Sequence, residues 1–429
     1  MNRTKSLCLL IAVLTALILF CSCGSAQSSE QGGNLSEMKT VEEVLAETPA
    51  EDLVGKNDVM QFTTPFYSTQ IQYNEGFLLR EDGLGGTLPV KLMFPVAHVL
   101  EVRSNDLQTL YEEGKDYTIE NGSLVIPAGS AMKAMPDSEF FLPEGTASDW
   151  LYNDRAGEDE GRAVTTDKAV LYRYRYVITY IRTEVYSGHV LQSKADRLTH
   201  FSQSAKEGGS VEMLFVGDSI GEGAGGSGNF LGLADLTARA IEARTGAKVT
   251  LSNCSVGGID SLEFMNVIDG RFDQINPNIV NKARDRYALM EQKKSFADIV
   301  FIALGANDSS ADRAADIFKI HIQALIDYFR DANPDVSVVV VSSPEINDKI
   351  RRNKPGDTRN LRLHDLGEYA EVLSTLEEEY DNLAFADIHT AQASVLECKY
   401  LEDIIADNLN HPSDYMSRLY VQFLMQTIF

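Results

Sequence analysis

The sequence predicts a mixed α/β protein, in which a β-rich domain of sandwich type precedes a three-layer domain built on a parallel sheet. Two observations support this prediction. Between about Glu43 and Ser204 the chain consists of short β-rich pieces separated by turn signals. After Gly208, unbroken apolar runs alternate with helix-length amphipathic segments, which is typical of parallel strands covered by helices on both faces. We therefore expect two domains, over residues 43–205 and residues 208–429.

Five apolar runs define the predicted parallel sheet. They are unbroken rather than alternating, so both faces of each strand are expected to be covered. Residues 311–332 show the spacing of an amphipathic helix, with Ile317, Ile320 and Leu325 on one face. The predicted strands span residues 211–216, 248–254, 297–304, 336–343 and 383–388.

The β-rich half contains one strong hairpin signal. Asn121-Gly122 lies between two β-rich runs in residues 116–127, and this dipeptide favours a two-residue hairpin turn. In residues 171–185, tyrosines alternate with arginines, which predicts a half-exposed strand. Such tyrosines can stack on sugars where they are exposed, but we expect them to be core residues.

The chain begins MNRTKSLCLLIAVLTALILFCSCGS, which has the pattern of an export signal over residues 1–22. A cysteine directly after the apolar run resembles the bacterial lipoprotein signal and makes Cys23 the expected lipid-bearing residue. The alternatives are an uncleaved anchor or cleavage near Ala26. Each of them places the rest of the chain outside the cytoplasm, at the cell surface or on the periplasmic side. Residues 23–42 are rich in Ser, Gly and Gln and are expected to form a flexible tether.

Composition argues against several classes of protein. The net charge of −25 repels phosphate backbones, so we expect no nucleic-acid partner. Beyond Cys23 only Cys254 and Cys398 remain, which excludes a cysteine-rich scaffold and a four-cysteine zinc site. These two cysteines form one disulfide or stay as buried thiols, and the sequence leaves both open. We expect no cofactor and no metal, because no cluster of histidines and carboxylates suggests a metal site.

The segment GDSIGEGAGGSG, residues 217–228, fits three motifs. As G-x-G-x-x-G it would hold a dinucleotide, but that motif needs a carboxylate at the end of the next strand, where the chain has LSNCSVGG. As G-x-S-x-G it would be the nucleophile elbow of an α/β-hydrolase, yet in that fold the serine follows several strands, whereas Ser219 follows the first. The remaining interpretation is a hydrolase nucleophile loop that opens with Gly-Asp-Ser.

Four chain segments are expected to meet at one edge of the sheet. Ser219 follows the first predicted strand and is presented at the carboxyl edge, where open α/β folds place their sites. Gly258 follows the second strand and offers a backbone N–H, and Asn307 follows the third and offers a side-chain amide. His411 stands before the last helix. A nucleophile, two hydrogen-bond donors and a base therefore converge.

These segments resemble the blocks of the SGNH/GDSL hydrolase superfamily, over about residues 211–429. GDSI, NCSVGG, GAND and NHP stand in the order of that family and in the expected strand context. The resemblance implies a flavodoxin-like three-layer fold, with Ser219 as the nucleophile and His411 as the general base. It also implies an oxyanion hole made of the Ser219 N–H, the Gly258 N–H and the Asn307 side chain.

The acid partner of His411 departs from the usual D-x-x-H block of the family. Asn408 stands three residues before His411, and Asp407 stands four before, as in members that have D-x-x-N-H-P. We predict Asp407 as the triad acid, and the alternative is a dyad oriented by a backbone carbonyl. Asp387, at the end of the fifth strand, is a further candidate for the acid, and His389 is the second candidate for the base.

The expected chemistry is ester hydrolysis through an acyl-enzyme. An exported, tethered enzyme with a β-rich domain ahead of the hydrolase resembles carbohydrate esterases. We therefore expect acyl esters, above all acetyl esters, of a polysaccharide or a small molecule as substrates, and a lipid anchor as the membrane contact. One alternative is a lipid-directed esterase or lysophospholipase. Another is a surface glycan-binding protein with weak or lost catalysis, and a third is acyl transfer to another sugar.

Overall fold

The computed structural model describes residue 35 and residues 37–153, 161–357 and 359–429. The predicted export signal and the predicted lipid-bearing Cys23 lie outside the described residues. Of the predicted tether, only residues 35 and 37–42 are described.

The accessory region, which we define as residues 43–205, is rich in short strands, as predicted. Its largest sheet is antiparallel and has four strands, and a two-stranded hairpin stands apart from it. That hairpin turns at Asn121 and Gly122, whose φ angles of +52° and +77° are those that an Asn-Gly turn provides. Packing of the sandwich type stays a prediction. The strands are β1 (Ile71–Leu78), β2 (Val96–Ser104), β3 (Leu110–Tyr111), β4 (Thr118–Glu120), β5 (Ser123–Val125), β6 (Trp150–Tyr152), β7 (Arg162–Ala163) and β8 (Arg175–Arg182).

The helices of the first half are short. Two of them precede the first strand and the others lie between later strands, and the first begins just ahead of the accessory region. They are α1 (Val41–Glu47), α2 (Val59–Thr63), α3 (Asp137–Phe140), α4 (Lys168–Tyr172) and α5 (Thr199–Ser204).

The half-exposed strand predicted over residues 171–185 is wrong in both extent and exposure. The first residues belong to α4, and β8 is buried along its whole length because it lies between β1 and β2. Arg175 is only 3% exposed, and its guanidinium donates to the carbonyls of Glu402, Asp403 and Ile405. Because these carbonyls accept hydrogen bonds from both terminal nitrogens of the guanidinium, the arginine can be buried, and the Tyr-Arg alternation therefore does not mark an exposed strand.

The C-terminal region, residues 208–429, is built on a parallel sheet of five strands. These are β9 (Ser210–Gly217), β10 (Lys248–Asn253), β11 (Ile299–Ala303), β12 (Ser337–Val341) and β14 (Leu383–Ala386), while β13 (Ile350–Arg352) pairs with β6 of the accessory region. The order β10-β9-β11-β12-β14 is the flavodoxin-like order, with the switch point beside β9. All five predicted strands and the predicted α/β class are therefore confirmed.

Helices lie between and after the strands of this sheet along the chain. They are α6 (Leu233–Thr245), α7 (Ser261–Ile268), α8 (Val280–Lys293), α9 (Ala306–Ser310), α10 (Ala315–Ala332), α11 (Leu366–Ser374), α12 (Leu376–Glu379), α13 (Ile388–Leu396), α14 (Leu401–Ile404) and α15 (Asp414–Ile428).

The buried face of α10 differs from the predicted one. Ile317 and Ile320 are 41% and 55% exposed, whereas the stripe that contains Phe318, Ile322 and Phe329 is buried. Leu325 belongs to both stripes. Two apolar stripes compete on this helix, and the one with two phenylalanines buries more apolar area against the sheet.

Helix α15 is buried on all sides and connects the two halves of the chain. Its Gln422 side chain donates to the Phe62 carbonyl at 2.8 Å and accepts the Phe66 N–H at 3.0 Å. Residues of both halves share the two large apolar clusters, and residues 34–429 form one compact unit. The division into two domains at residues 205 and 208 stays a prediction. Within the described residues, no helix has the length and apolar character needed to span a membrane.

Candidate active site

Ser219 stands on a tight turn that follows β9. The buried Asp218 carboxylate accepts the Ile220 N–H at 2.9 Å and so orders the turn. The Asn253 side chain, at the end of β10, donates to the Gly221 carbonyl at 2.8 Å. These contacts present a half-buried Ser219 at the carboxyl edge of the sheet, where the sequence predicts it.

His411 lies against Ser219. The distance from His411 Nε2 to Ser219 Oγ is 2.8 Å, and the distance from His411 Nδ1 to Asp407 Oδ2 is 2.5 Å. With a proton on Nδ1, the ring donates to the carboxylate and accepts the serine hydroxyl. The structure thus brings together the predicted nucleophile, base and acid, and a carboxylate rather than a backbone carbonyl orients the ring.

The histidine loop, residues 405–412, accounts for the four-residue spacing between acid and base. Asn408 has a φ of +61°, a left-handed conformation that asparagine tolerates. The turn lets Asp407 Oδ1 accept three following backbone N–H groups at 3.0 to 3.3 Å while Oδ2 contacts the imidazole. The Ala406 N–H closes the loop on the His411 carbonyl at 2.7 Å. The extra residue relative to D-x-x-H is therefore accommodated by the turn at Asn408.

The alternative acid and base occupy other positions. Asp387 is the N-cap of α13 and accepts the Thr390 N–H at 3.1 Å. His389 Nε2 lies 3.5 Å from a carboxylate oxygen of Glu345. In the described part of the chain, neither residue forms a hydrogen bond with Ser219.

The surroundings of the site shift the pKa of the base and the pKa of the acid in opposite directions. Burial of the ring, the largest influence, favours neutral His411, but the hydrogen bond and charge of Asp407 and the charge of Asp218 together raise the pKa of His411. Burial favours neutral Asp407, but the hydrogen bond and charge of His411 and the backbone N–H donors outweigh it and lower the pKa of this carboxyl. Burial raises the pKa of Asp218 to about 6. Asp407 is thus charged when His411 is neutral and able to take a proton.

Gly258 belongs to a turn beside Ser219. The Ile259 N–H donates to the Val256 carbonyl at 3.2 Å, and Gly258 has a φ of +82° within this turn. A Cβ built on the preceding Gly257 would lie 3.6 Å from the Ser219 Cβ, so the turn directly adjoins the nucleophile. The positive φ favours glycine at position 258 and keeps side-chain bulk away from this turn.

Asn307 is the second residue of α9, which follows β11 at the same sheet edge. One N–H of its amide donates to the Ile259 carbonyl at 2.9 Å. The amide has two N–H groups, so this bond fixes the side chain and leaves one donor. The assignment of Asn307, Gly258 and the Ser219 N–H to an oxyanion hole stays a prediction that this arrangement permits.

The glycine-rich loop, residues 221–228, is held by residues that the sequence analysis did not single out. Tyr172 and Lys168 of α4 donate to the carbonyls of Gly225 and Gly226, at 3.0 and 2.7 Å. The Ser227 N–H donates to an Asp414 carboxylate oxygen at 2.9 Å. The tyrosine-arginine run that contains Tyr172 predicted only a strand and gave no signal of these contacts.

The two cysteines of the C-terminal region are free. Cys254 is buried and Cys398 is half-buried, so the alternative of two thiols is the one found. Among the described residues, no group of three or more His, Cys, Asp or Glu side chains could hold a metal ion.

Residues 215–419 match the model of the GDSL-like Lipase/Acylhydrolase family. This segment is a GDSL hydrolase domain. It contains Ser219, the whole histidine loop and both predicted donors. The predicted SGNH/GDSL superfamily is therefore confirmed. Among curated proteins, none matches the sequence.

Solved structures similar to this chain include esterases and lipases. A two-domain esterase active on acetylated mannans, co-crystallised with mannopentaose, is 19% identical with a TM-score of 0.39, over 55% of this chain and 53% of that chain. This chain thus spans about half the length of that esterase. The lipase Lip_vut3 from a goat rumen metagenome is 14% identical with a TM-score of 0.36, over 50% and 96% of the two chains. A lipase/acylhydrolase from Enterococcus faecalis is 20% identical with a TM-score of 0.34, over 50% and 93%.

The family of the GDSL domain determines the class of reaction. Members of a lipase/acylhydrolase family cleave acyl bonds, and the domain carries a serine hydroxyl within hydrogen-bond distance of an imidazole. The GDSL domain is therefore that of a serine ester hydrolase, as predicted.

Proposed function

We propose that the protein is an extracytoplasmic esterase that removes acyl groups, above all acetyl groups, from carbohydrate, with Ser219, His411 and Asp407 as its catalytic triad. The observation that carries the catalytic part is the hydrogen-bonded line from Ser219 Oγ through the imidazole to Asp407. This line contains every group that proton transfer from the nucleophile requires.

In the first half of the reaction, Ser219 Oγ forms a bond to the ester carbonyl carbon while its proton passes to His411 Nε2. The carbonyl oxygen becomes an oxyanion, which the Ser219 and Gly258 N–H groups and the Asn307 amide stabilise. When the carbon–oxygen bond breaks, the alcohol leaves with the proton held by His411. The acyl group then remains on Ser219 as an ester.

In the second half, His411 takes a proton from water, and the resulting hydroxyl attacks the acyl carbon. The intermediate collapses to release the carboxylic acid, and the imidazolium returns the proton to Ser219 Oγ. Throughout, Asp407 holds the proton-bearing Nδ1 and stabilises the positive charge of the ring.

A small apolar cavity supports a short acyl group. This cavity borders the serine turn at Asp218 and Ile220 and has a volume of about 20 Å³. Most of its other walls are apolar side chains, among them Leu233 and Val341, and Ser342 and Ser343 also line it. That is room for about one water molecule. A cavity of this size excludes a long acyl chain, which would have to lie along the surface instead.

A polar and aromatic cavity on the accessory region supports a carbohydrate substrate. It has a volume of about 720 Å³ and is lined by Trp150, Ser148 and Thr166 of the accessory region and by Asn353 of the C-terminal region. One lining residue, Thr165, accepts a hydrogen bond at its carbonyl from the Asn408 side chain at 3.0 Å, beside the triad acid. An indole face with hydroxyl and amide groups around it suits a sugar ring better than an acyl chain.

We propose the cellular location from the N-terminal sequence. We assign residues 1–22 to an export signal and Cys23 to a lipid anchor, so that the enzyme acts at the cell surface or on the periplasmic side. Its substrates there are polysaccharide or small-molecule esters. Mass spectrometry of the membrane fraction tests this assignment by detecting a mature chain that begins at a diacylglyceryl-modified Cys23. A mature chain that begins at another residue, or one in which Cys23 is unmodified, contradicts it.

The proposed function is tested by ester cleavage as a function of acyl chain length. p-Nitrophenyl esters from acetate to decanoate are compared for the wild type and Ser219→Ala. We expect acetate to be the best substrate and the variant to be inactive. Preference for long chains would favour the lipid-directed alternative, and absence of serine-dependent turnover would favour the binding protein.

The carbohydrate part needs a second comparison. Trp150→Ala is assayed on acetylated mannan, the substrate of the similar two-domain esterase, and on p-nitrophenyl acetate. We expect KM for the polymer to rise about tenfold, as the loss of one aromatic contact predicts, with little change for the small ester. Equal values for the variant and the wild type on every acetylated glycan would contradict a role of this cavity.

A further inference from the structure

We infer that Tyr172, on α4 of the accessory region, is a positioning residue that joins the glycine-rich loop to the histidine side of the active site. This inference rests on the proposed roles of Ser219 and His411. It gives the accessory region a part in the reaction beyond holding substrate.

The Tyr172 hydroxyl bridges two segments that are remote in sequence. It donates to the Gly225 carbonyl at 3.0 Å and accepts the Asp414 N–H at 3.0 Å. Gly225 lies six residues after Ser219, and Asp414 lies three residues after His411. A single hydroxyl group therefore connects the continuations of the nucleophile turn and of the histidine loop.

These two segments are also in direct contact. A Cβ built on Gly225 would clash with the Pro412 carbonyl and would lie 2.8 Å from the His411 Cβ. Gly225 has a φ of +92°, so both its conformation and its surroundings require glycine. The distance between the serine turn and the imidazole thus depends on how closely this loop is held.

Asp414 provides a second connection at the same place. It is the first residue of α15, and its N–H is among the groups that have no partner within the helix. The Tyr172 hydroxyl supplies that partner. The Asp414 carboxylate accepts the Ser227 N–H at 2.9 Å and the Asn105 side chain at 2.7 Å. Both Asn105 and Tyr172 come from the accessory region.

The chemistry of the bridge suits a permanent connection. Burial, the largest influence, and the charge of Asp414 raise the pKa of Tyr172, so the hydroxyl keeps the proton that it donates. The guanidinium of Arg175 lies 5.5 Å from the centre of the Tyr172 ring and donates to three carbonyls just ahead of Asp407. The accessory region therefore contacts the chain on both sides of the histidine loop.

Removal of the hydroxyl should act on the alignment between Ser219 and His411. A displacement of about 1 Å between reacting groups can cost about a hundredfold in rate. Asp407 and His411 lie within one loop that closes on itself, so their mutual contact does not depend on Tyr172. We therefore expect Tyr172→Phe to lower kcat by ten- to a hundredfold, with little change in KM and with an unchanged pH midpoint of kcat/KM.

A matched control is Tyr176→Phe. The Tyr176 hydroxyl also bridges two backbone groups, since it accepts the Lys133 N–H at 2.6 Å and donates to the Lys133 carbonyl at 2.9 Å. Both contacts lie within the accessory region. Loss of this hydroxyl removes the same chemical group without releasing an active-site loop, so kcat should stay within twofold of the wild type.

The experiment uses the full chain and compares wild type, Ser219→Ala, Tyr172→Phe and Tyr176→Phe. Cleavage of p-nitrophenyl acetate is measured between pH 5 and 9, with thermal unfolding of each protein. A kcat loss specific to Tyr172→Phe, without a shift of the pH midpoint, supports the inference. Activity of Tyr172→Phe within twofold of the wild type overturns it, as does an equal loss in Tyr176→Phe or a moved pH midpoint.

A surface variant covers the case in which Tyr172→Phe does not fold. Lys168 is exposed, so Lys168→Met should fold. It loses the contact with the Gly226 carbonyl and the positive charge that lowers the pKa of His411. We expect a severalfold lower kcat on the high-pH plateau of the activity profile, and an unchanged kcat there would overturn the inference. Absence of Ser219-dependent turnover in the wild type refutes the proposed function and the inference with it, whereas an active wild type with unaffected variants refutes the inference alone.

Discussion

The loop that carries Ser219 and the loop that carries His411 are held in place by different parts of the molecule. The serine turn is ordered by its own neighbours, since the Ala224 N–H donates to the Ser219 carbonyl at 2.9 Å and Asp218 accepts the Ile220 N–H. The histidine loop also closes on itself, but its surroundings are supplied by the accessory region through Thr165, Tyr172 and Arg175. The position of the nucleophile thus depends on contacts within the GDSL domain, whereas the position of the base also depends on contacts between the two halves of the chain.

The largest loss of activity is expected when the nucleophile is removed. Ser219→Ala removes the atom that forms the acyl-enzyme, so kcat for p-nitrophenyl acetate should fall by about 10⁶, to the background rate. Ser227→Ala is the matched control, because it changes a serine of the glycine-rich loop that lies eight residues after Ser219. It should keep activity within severalfold. Residual turnover in Ser219→Ala above one per cent would show that another residue is the nucleophile.

The second largest effect concerns the acid of the histidine loop. Asp407→Asn keeps the shape of the side chain but no longer favours the His411 tautomer with its proton on Nδ1. The value of kcat should therefore fall by about 10⁴. Asp387→Asn is the control, because Asp387 caps α13 and has no hydrogen bond to His411 in the described structure. Steady-state kinetics of both variants decide between the two carboxylates, and a larger loss in Asp387→Asn would reverse the assignment.

A smaller loss is expected for the oxyanion donor. Asn307→Ala should lower kcat by about two to three orders of magnitude with little change in KM, since the amide acts on charge that develops during the reaction. The same change also removes the bond to the Ile259 carbonyl, so a thermal unfolding measurement accompanies the kinetics. Near-full activity in this variant would exclude Asn307 from the oxyanion hole.

The pH dependence gives the smallest but most specific effect. His411 acts as a base only when it is neutral, and Asp407 and Asp218 raise the pKa of His411. The value of kcat/KM should therefore rise with pH through a midpoint above 6.5, the ordinary value of histidine. Asp407→Asn removes the main negative charge that stabilises the protonated imidazole, so it should move that midpoint to lower pH. A wild-type midpoint at or below 6.5 would contradict the described electrostatics.

The comparison of the two loops also explains how much the sequence could predict. Ser219, Gly258 and Asn307 each follow an apolar strand directly, so the pattern of the parallel sheet was enough to bring them to one edge. Asp407 was identifiable from its distance to His411 along the chain, because the carboxylate and the imidazole share one short turn.

Contacts between distant segments were beyond the sequence patterns. Arg175 gave the alternation of an exposed strand, yet it is buried, and its terminal nitrogens donate to three carbonyls of a segment more than 200 residues away. The buried face of α10 depended on which of two apolar stripes met the sheet. The bridge by Tyr172 has no local signal, because both of its partners are backbone groups whose positions only the folded chain defines.

The most direct test of the account is the reaction of the full chain with a fluorophosphonate, followed by mass spectrometry of the modified peptide. Such a reagent is attacked by an activated serine, so it reports on the contact between Ser219 and His411 without regard to the natural substrate. We predict one modification per chain, on Ser219, at a rate that rises with pH as His411 loses its proton and that falls at least a hundredfold in Asp407→Asn. Modification of another residue, or a rate that is the same in Asp407→Asn, would contradict the proposed triad.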